Sequence, residues 1–564
     1  MEQRDNLLQN VYLKAVLPNM IAILGGTINV FVDGILIGQK MGDLGITAIN
    51  QSLAVYLIMC TIGSLFAAGA SAESAHALGR RELEKAKRYF SLATEVAFVI
   101  SAVFCVIGII FSSTLAAILG SETTIGLIET YIRITFMGGI FKIMLYIPYF
   151  YLRLEGKMKQ VAFAMILMTV INIILDYVFL FLMDMGIAGA ALASVIATMI
   201  VCILSFYLLC GKSDVFKFKP IKLDVKMLGS IFISGSPMAS NNLFSAIRIV
   251  ALNSIMNMVG GNSLITVFAI TNNLNEFSIC VQNGVPQTGT ALLGVCAGEK
   301  DNDAVKNLLF LQIKTGILIS AFVSGVIILF SDYVGAFFGS QLDVKMAVNI
   351  WAVSLIFATC NNVMNYYYYS IRQAGMANLI TILRIFVVTV ATAWCMKDWG
   401  DYIWLFYPVS EIISFIIWCI YGLSHAKKHK KNNLLFLDEE LGRSMRLSIG
   451  CDPEEICSVS AGVNDFCEEI GLDIQQTMTL SLAIEELLMI TAEKTLHNEG
   501  NMDLRIMQMK DGALLRIRAA GDPFNPLDHG FDNLDFMGVQ MIKNMATRTE
   551  YQSTLGLNTL IVEI

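Results

Sequence analysis

A carboxylate and an amide stand one helical turn apart in "INIILDYVF", residues 171–179, a stretch that is otherwise apolar. Asn172 and Asp176 share one face of a helix because residues i and i+4 do. Asp33 in "NVFVDGILIGQK" and Ser194 in "GAALASVIA" lie in equally apolar surroundings. Oxygen donors that include two carboxylates suit a proton or Na⁺ better than a transition metal. The four residues therefore predict a site for a small cation, provided that the fold brings them together.

The segments that must position these residues have the composition of a membrane protein. Hydrophobic residues make up 55% of the 564 residues and charged residues only 15%, far from an average soluble chain. Apolar stretches long enough to cross a hydrocarbon core of about 30 Å recur along the first three quarters of the chain. Twelve spans are predicted, at residues 13–39, 48–70, 91–118, 130–152, 160–183, 187–211, 227–258, 264–292, 307–331, 346–370, 376–396 and 402–424.

Lysine and arginine predict how the spans are oriented, because cytoplasmic loops retain positive charge. Every second loop is basic, from "GRRELEKAKR" after the second span to "HAKKHKK" after the last. Both termini are therefore expected on the cytoplasmic side of the cytoplasmic membrane. The 12 cysteines include no CxxC pair, so neither a disulfide framework nor a zinc site is expected. The net charge of −7 gives no reason to expect nucleic acid as a partner.

This orientation places the four oxygen-bearing residues at a common depth. Asp176 lies eight residues before Asp184, which is about 12 Å below the outer edge of its span. Asp33 comes seven residues before Lys40, and Ser194 lies about eight residues into span 6. A buried carboxylate can also pair with a cation or cap a kink, but spans 1, 5 and 6 hold no lysine or arginine at that depth. An ionisable residue inside a membrane is by default a functional site.

An internal repeat indicates how the spans are grouped. The loop glycines Gly79 and Gly298 are 219 residues apart (298 − 79), and Gly156 and Gly375 in a second pair of loops have the same spacing (375 − 156). One offset at two places predicts parallel repeats of six spans each. Two bundles around a central cavity suit alternating access, although a channel or a scaffold could also be duplicated. The predicted bundles occupy residues 1–219 and 220–425.

Up to about residue 425 the chain resembles the MATE (multidrug and toxic compound extrusion) antiporters, notably in "NVFVDGILIGQKMGDLGITAIN", "RLEGKMKQVAFAMILMTVINIILDYVF" and "MGIAGAALASVIA". In one branch of that family a first-span aspartate, a fifth-span Asn-x-x-x-Asp and a sixth-span hydroxyl form the cation site. The resemblance implies this role for Asp33, Asn172, Asp176 and Ser194, with serine where threonine is usual. It also implies that Pro18 in "AVLPNMIAI" bends the first span, since proline removes a helix hydrogen bond.

The function that this resemblance implies is secondary transport and not enzyme catalysis. An organic, drug-like compound would leave the cell while Na⁺ or H⁺ enters as the coupling ion, without a cofactor. The expected partners are a small organic substrate and membrane lipid. Two alternatives remain open, namely a flippase for lipid-linked substrates and a membrane sensor that signals through its C-terminal domain.

The second bundle departs from the other branch of the family, whose seventh span carries a glutamate ligand for the cation. Ser245 stands at that position in "SGSPMASNNLFSAIRIV", so a second cation site is not expected. Four charged residues are nevertheless buried by span position. They form structural pairs, which we favour, or line the substrate pocket: Arg248, Glu276, Arg384 and Glu411.

The chain changes character after a basic linker at residues 426–445. Residues 446–564 are long enough for one soluble domain and have an α+β pattern. They contain a helix in "IQQTMTLSLAIEELLMITAEKTL", a hairpin that turns at Asp511-Gly512, and a closing strand in "NTLIVEI". The expected fold is thus an all-α membrane protein of twelve helices in two six-helix bundles, followed by an α+β domain.

This C-terminal domain resembles the GHKL-type ATPases, closest to anti-sigma-factor serine kinases, in "AAGDPFNPLD" and "FMGVQMIKNMATRTEYQSTLGLN". Glu486 matches the family glutamate, and Gly521 and Gly538 match glycines of the turn and phosphate segments. However, Ile490 stands where an asparagine holds Mg²⁺, and Ala519 where an aspartate binds adenine. Losing both groups costs well over the ~1–3 kcal/mol of one buried hydrogen bond. The resemblance implies an inactive domain with weak or no ATP binding, which regulates the bundles or binds a cytoplasmic protein.

Overall fold

The computed structural model describes residues 6–119, 124–211, 216–221, 223–338, 342–428, 434–437, 443–509, 512–528, 537–554 and 556–564. Within these ranges twelve helical segments are long and apolar enough to cross a membrane, which agrees with the number predicted. The spans are Leu7–Met41, Gln51–Gly79, Leu83–Ile110, Ile125–Leu154, Met158–Leu182, Gly186–Cys210, Val225–Gly260, Ser263–Gly298, Asn302–Leu329, Lys345–Ser370, Ala374–Cys395 and Gly400–Lys427.

The first six spans are helical because a chain in lipid must satisfy its backbone hydrogen bonds within the segment. One helix, α1, contains both span 1 and span 2, so the predicted loop between residues 39 and 48 is helical instead. A π-helix at Val178–Leu182 continues α6. The helices are α1 (Asn6–Gly79), α2 (Leu83–Ile110), α3 (Ser112–Leu119), α4 (Ile125–Met144), α5 (Tyr146–Leu154), α6 (Met158–Tyr177) and α7 (Gly186–Cys210).

The second six spans repeat this arrangement. Helices α2 and α10 each contain 28 residues, and their first residues, Leu83 and Asn302, are 219 apart (302 − 83). A π-helix at Leu383–Val387 and a 3₁₀ helix at Gly400–Leu405 interrupt the later helices. The helices are α8 (Val225–Gln282), α9 (Gly284–Gly298), α10 (Asn302–Leu329), α11 (Ser331–Phe337), α12 (Lys345–Ser370), α13 (Ala374–Ile382), α14 (Val388–Cys395) and α15 (Phe406–Lys428).

The turns between spans support one of the two predicted glycine pairs and correct the other. Arg81 (φ 64°) and Lys300 (φ 56°) take the same left-handed conformation at the predicted offset of 219 (300 − 81). In the second pair of turns, Gly156 (φ 76°) corresponds to Arg372 (φ 62°), an offset of 216 (372 − 156), because both backbone amides close the same turn. Gly375 lies inside α13. The predicted pairing of Gly375 with Gly156 was wrong, because Arg372 adopts the left-handed conformation in the second turn. That conformation usually favours glycine.

The two bundles meet where spans 2 and 8 end. A Cβ atom on Gly79 would lie 2.0 Å from the carbonyl oxygen of Val295, and one on Gly298 would lie 2.4 Å from that of His76. Only residues without a side chain allow backbones to approach this closely. The ends that carry the predicted cytoplasmic loops are therefore in direct contact.

The C-terminal domain is a five-stranded antiparallel sheet with helices packed on one face. Its strand order is β1-β2-β3-β5-β4, and the apolar face buries Ile484, Leu504 and Ile517 together. The predicted helix from Ile474 and the closing strand are confirmed, and β2 pairs with β3, although Asp511 of the predicted turn lies outside the described residues. The elements are β1 (Ser444–Gly450), α16 (Pro453–Ile470), α17 (Ile474–Ile490), β2 (Asn501–Gln508), β3 (Ala513–Ala519), α18 (Met537–Met545), β4 (Arg548–Thr554) and β5 (Leu557–Glu563).

Candidate cation site

Helices α1, α6 and α7 bring the four predicted side chains into one hydrogen-bonded chain. Asn172 Nδ2 donates to Asp176 Oδ2 at 2.9 Å and lies 3.5 Å from Ser194 Oγ. Ser194 Oγ in turn donates to Asp33 Oδ2 at 3.4 Å. Asp176 is 0% exposed and Asn172 is 1% exposed. The residues thus form a polar cluster that joins three spans, with Asn172 and Asp176 buried and Asp33 and Ser194 partly buried.

Several oxygen atoms of this cluster lack a hydrogen-bond donor among the described residues. They include one oxygen each of Asp33, Asn172 and Asp176, and the amide oxygen of Asn29 one turn before Asp33. Asn172 and Ser194 connect the carboxylates of Asp33 and Asp176 within this cluster. Buried acceptors without donors are costly, and two carboxylates that share a site disfavour double ionisation. A proton or a hard monovalent cation would relieve both costs, so the donor set fits Na⁺ as well as H⁺.

A cavity of about 150 Å³ gives access to the cluster from inside the first bundle. Asp33, Asn172 and Ser194 line it together with Asn29 and Lys142. The rest of the wall is largely aromatic and apolar, and includes Leu53, Tyr56, Met59, Tyr131 and Met168. The cavity therefore combines polar groups at one place with walls that suit an apolar molecule.

Lys142 and Asn29 belong to the site but were missed from the sequence. Lys142 lies in span 4, and its Nζ is 4.6 Å from the centroid of the Tyr56 ring. Its position in the middle of an apolar span was the signal that could have identified it, since ionisable residues there are functional by default. Spans 1, 5 and 6 hold no lysine or arginine at the depth of Asp176, as predicted. Span 4, however, contributes Lys142 to the same cavity.

The helix that carries Asn172 and Asp176 changes its winding directly after them. The π-helix Val178–Leu182 follows at once, and the backbone amide of Met185 bonds to the carbonyl of Phe179. Single turns of π-helix occur frequently at functional sites.

Pro18 lies inside helix α1, one residue from a contact between the bundles. Asn19 is buried and its Nδ2 donates to Gly284 O at 2.8 Å and to Thr288 Oγ1 at 3.0 Å. The proline cannot donate a backbone hydrogen bond and so weakens α1 at this point. The same turn of span 1 is thus weakened within its helix and bonded to span 8 of the other bundle.

Comparison with known proteins identifies the kind of protein that has this arrangement. The MatE family model matches residues 18–178, a range that contains Pro18, Asp33, Asn172 and Asp176. The multidrug export protein MepA of Staphylococcus aureus strain NCTC 8325 is 24% identical over 379 residues, which cover 66% of this chain and 82% of MepA. MepA of Staphylococcus saprophyticus is 23% identical over 375 residues, with the same coverage.

Solved structures show the same fold. An outward-facing multidrug resistance MATE family transporter has a TM-score of 0.71 at 20% identity, and covers 75% of this chain and 97% of its own. A MOP superfamily transporter from Pyrococcus furiosus, described with a binding pocket of reverse polarity that suggests a different function, has the same score and covers 76% of this chain and 97% of its own. Together these findings show that this chain shares the fold of MATE transporters and, over part of its length, is similar to them in sequence.

Among the described residues of the second bundle, Arg384 and Glu411 form a largely buried ion pair. Arg384 Nε lies 2.8 Å from Glu411 Oε1, and Asn361 Nδ2 donates to Glu411 Oε2 at 2.7 Å. Arg248 is partly buried, whereas Glu276 is exposed, which corrects the expectation from its span position that it is buried. Neither residue is among the described ones that line the cation-site cavity. The geometry of Arg384 and Glu411 corresponds to the structural pairing that we favoured from the sequence.

The residues of the predicted nucleotide site lie close to the core of the C-terminal domain. Ile490 and Ala519 are both buried in its apolar cluster, while Glu486 is partly exposed. Gly521 approaches the backbone so closely that a Cβ atom would lie 2.1 Å from the carbonyl oxygen of Thr495, and Gly538 lies in α18. Apolar side chains thus pack where the resemblance implies polar ligands for Mg²⁺ and adenine.

Proposed function

We propose that this protein is a cation-coupled antiporter that exports organic, drug-like compounds by alternating access. The observation that carries the proposal is the hydrogen-bonded cluster of Asp33, Asn172, Asp176 and Ser194 beside a largely apolar cavity. Sequence similarity to proteins named for multidrug export supports it. The bundles would occupy residues 1–219 and 220–425 of the cytoplasmic membrane, with both termini in the cytoplasm.

The cluster can couple ion entry to export through charge. While Asp33 and Asp176 are both ionised, they repel each other and offer a negative site to a lipophilic cation. A proton or Na⁺ on the carboxylates removes that attraction and lets spans 1, 5 and 6 pack more closely. Met59 and Met168 in the cavity wall can adapt to substrates of different shape. Ion and substrate therefore exclude each other, which is the requirement for exchange.

The test is efflux of a fluorescent lipophilic cation from proteoliposomes under separately imposed Na⁺ and proton gradients. Asp176→Asn keeps an oxygen that accepts the Asn172 hydrogen bond but removes the charge. We expect one gradient to drive efflux by the wild type, and the variant to be slower by at least about tenfold, equivalent to ~1.4 kcal/mol.

The matched control is Asp184→Asn, because Asp184 is 78% exposed and pairs with Lys40 at the edge of the bundle. It should transport like the wild type. Equal efflux by Asp176→Asn and wild type would contradict the mechanism. Absence of efflux under either gradient, with folded protein, would favour a flippase for lipid-linked substrates or a sensor.

We further propose that residues 446–564, joined through the linker 426–445, form a degenerate GHKL-like domain that regulates transport without catalysis. The support is the burial of Ile490 and Ala519 in an apolar core and the five-stranded sheet with helices on one face. At both positions an apolar residue stands where the resemblance implies a polar ligand for Mg²⁺ or adenine. The domain would then act through the surfaces that it presents to the bundles.

A further inference from the structure

The sheet of the C-terminal domain carries a row of arginines on the face away from its own core. Arg446 in β1 pairs with Arg505 in β2, and Arg505 pairs with Arg516 in β3. Alternate residues of a strand point to opposite faces, and Leu504 and Ile506 occupy the apolar core on the other face. Like charges directly opposite each other on neighbouring strands are destabilising. Asp503 of β2 pairs with Arg516 at 3.3 Å, but one carboxylate of the sheet does not compensate three aligned arginines, so the row also needs carboxylates from outside the sheet.

Those carboxylates come from the turn between α9 and α10 of the second bundle. Glu299 lies 2.5 Å from Arg516 and also pairs with Arg518. Asp301 lies 3.0 Å from Arg516 and 3.1 Å from Arg505, and also pairs with Arg446. Asp301 is 1% exposed, so water does not screen this interface. Removing one partner of a buried ion pair leaves an uncompensated charge and is strongly destabilising.

The same turn is part of the contact between the two bundles. It follows Gly298 directly, and Gly298 packs on Gly79 of the first bundle. Arg81, beside Gly79, lies 3.6 Å from Glu563 of the C-terminal domain. The domain therefore contacts the equivalent turns of both repeats at once, with the stronger set of ion pairs on the second bundle.

The linker is also held against the second bundle. The hydroxyl groups of Tyr367 and Tyr368 donate to the carbonyl oxygens of Leu435 and Leu434 at 2.8 and 2.7 Å. Phe436 is buried and packs on Tyr368. The domain is thus anchored next to span 10 as well as through its arginine row.

We propose that the C-terminal domain is an electrostatic clamp that holds the cytoplasmic ends of the two bundles together and so opposes opening toward the cytoplasm. Alternating access requires the contact between Gly79 and Gly298 to separate. Because the C-terminal domain binds the turns that follow both glycines, it must then release at least one of these turns. The weaker contact, between Arg81 and Glu563, is released first. The regulatory meaning of the clamp rests on the proposed transport function, whereas the clamp itself does not.

The clamp is tested by distance measurements between spin labels on the full chain in lipid nanodiscs. Labels on non-natural residues at Lys85 and Lys306, both about half exposed, report the separation of the bundles, since the 12 cysteines preclude thiol labelling. The test variant is Glu299→Gln with Asp301→Asn. We expect the fraction of molecules with the longer distance to rise by at least about tenfold, because a buried charge network is broken.

The control variant is Arg443→Gln, which removes an arginine at the end of the linker whose pair with Glu469 of the domain is exposed. It should leave the distances as in the wild type. If the double variant does not fold, Arg446→Met tests the same row from the side of the domain, since Arg446 is the most exposed of the three aligned arginines. If either Arg446→Met or the double variant folds and its label distances equal those of the wild type, the clamp proposal is overturned.

Efflux of the lipophilic cation in the same preparations separates the two proposals. Wider distances with no efflux by the wild type would support the clamp and contradict the antiporter. Efflux by the wild type with unchanged distances in the variants would support the antiporter and overturn the clamp. Wider distances together with faster initial efflux in the double variant would support the clamp as a brake on transport.

Discussion

At the scale of single residues, the affinity of the candidate cation site for an ion depends on which charged side chains line the cavity. Asp33 and Lys142 both line the cavity in the first bundle, and Lys142 reaches it from a span that carries none of the four predicted residues. Asn29 adds a further oxygen one turn from Asp33. The candidate cation site thus includes a lysine, whose positive charge would compete with any cation that binds there.

Lys142→Met should make the coupling ion bind more tightly. Removing a neighbouring positive charge in a partly dehydrated cavity stabilises a bound cation by about 1 kcal/mol or more, roughly fivefold in affinity. We expect the ion concentration for half-maximal efflux to fall accordingly. Arg133→Met is the control, because Arg133 lies in the same span but is 53% exposed and pairs with Glu129. A higher half-maximal concentration in Lys142→Met would show that the lysine assists binding.

The pKa of Asp301 determines how the clamp should respond to pH. Burial alone would raise the pKa of Asp301, but the guanidinium groups of Arg516, Arg505 and Arg446 hold that pKa well below its ordinary value. A lowered pKa contributes stability that is complete above the unfolded value of about 3.9 and is lost as the pH falls through the folded value. The distance between the labels at Lys85 and Lys306 should therefore stay constant between about pH 5 and 8. A change within that range would assign control to another group.

At the scale of elements, the contact between bundles depends on helix ends that lack side chains. Gly79 and Gly298 end spans 2 and 8, and their backbones touch. The turns that follow them have the same left-handed residue at Arg81 and Lys300. Equivalent elements of the two repeats thus form the closed end of the two bundles, and the C-terminal domain binds directly beside it.

Gly79→Ala should weaken this closed end. The new Cβ would lie 2.0 Å from the carbonyl oxygen of Val295 and 2.9 Å from Gly298 Cα, and these backbone atoms cannot rotate away. Overpacking of this kind costs typically about 1–3 kcal/mol. We expect a lower melting temperature in detergent, measured by the loss of monodisperse protein on heating. Gly325→Ala in α10, where a Cβ meets no atom of the described residues within 4 Å, should melt like the wild type.

At the scale of the whole molecule, a transporter fold is joined to a domain that contacts both of its halves. Arginines from three strands meet carboxylates of one turn, and Glu563 of the last strand meets the equivalent turn of the first bundle. The domain face that docks is opposite the face on which α17 packs. Regulation would therefore proceed through docking and release of the sheet and would not require nucleotide hydrolysis.

Nucleotide binding by the C-terminal domain can be tested directly on the full chain. With Ile490 and Ala519 in the apolar core, we expect Mg²⁺-ATP to bind more weakly than about 1 mM, which corresponds to less than ~4 kcal/mol. Isothermal titration of the purified protein measures this, with ADP as the comparison ligand. Binding in the micromolar range would show that other residues replace the lost metal and adenine contacts.

The sequence by itself determined the spans, the i and i+4 pair of Asn172 and Asp176, and the α+β pattern of the last domain. These features follow from the length and periodicity of apolar segments, which are local properties of the chain. The sequence also indicated the repeat, although the true offset of the second turn pair, 216 (372 − 156), depended on Arg372 taking a backbone conformation that its residue type does not favour.

Only the tertiary structure decided which distant groups meet. It placed Lys142 beside Asp33, and it aligned Arg446, Arg505 and Arg516 across three strands before setting them against Asp301. Such contacts depend on strand register and on packing between segments that are hundreds of residues apart, and local patterns do not encode them. The candidate cation site could therefore be anticipated in part, whereas the proposed clamp became visible only when the whole chain was folded.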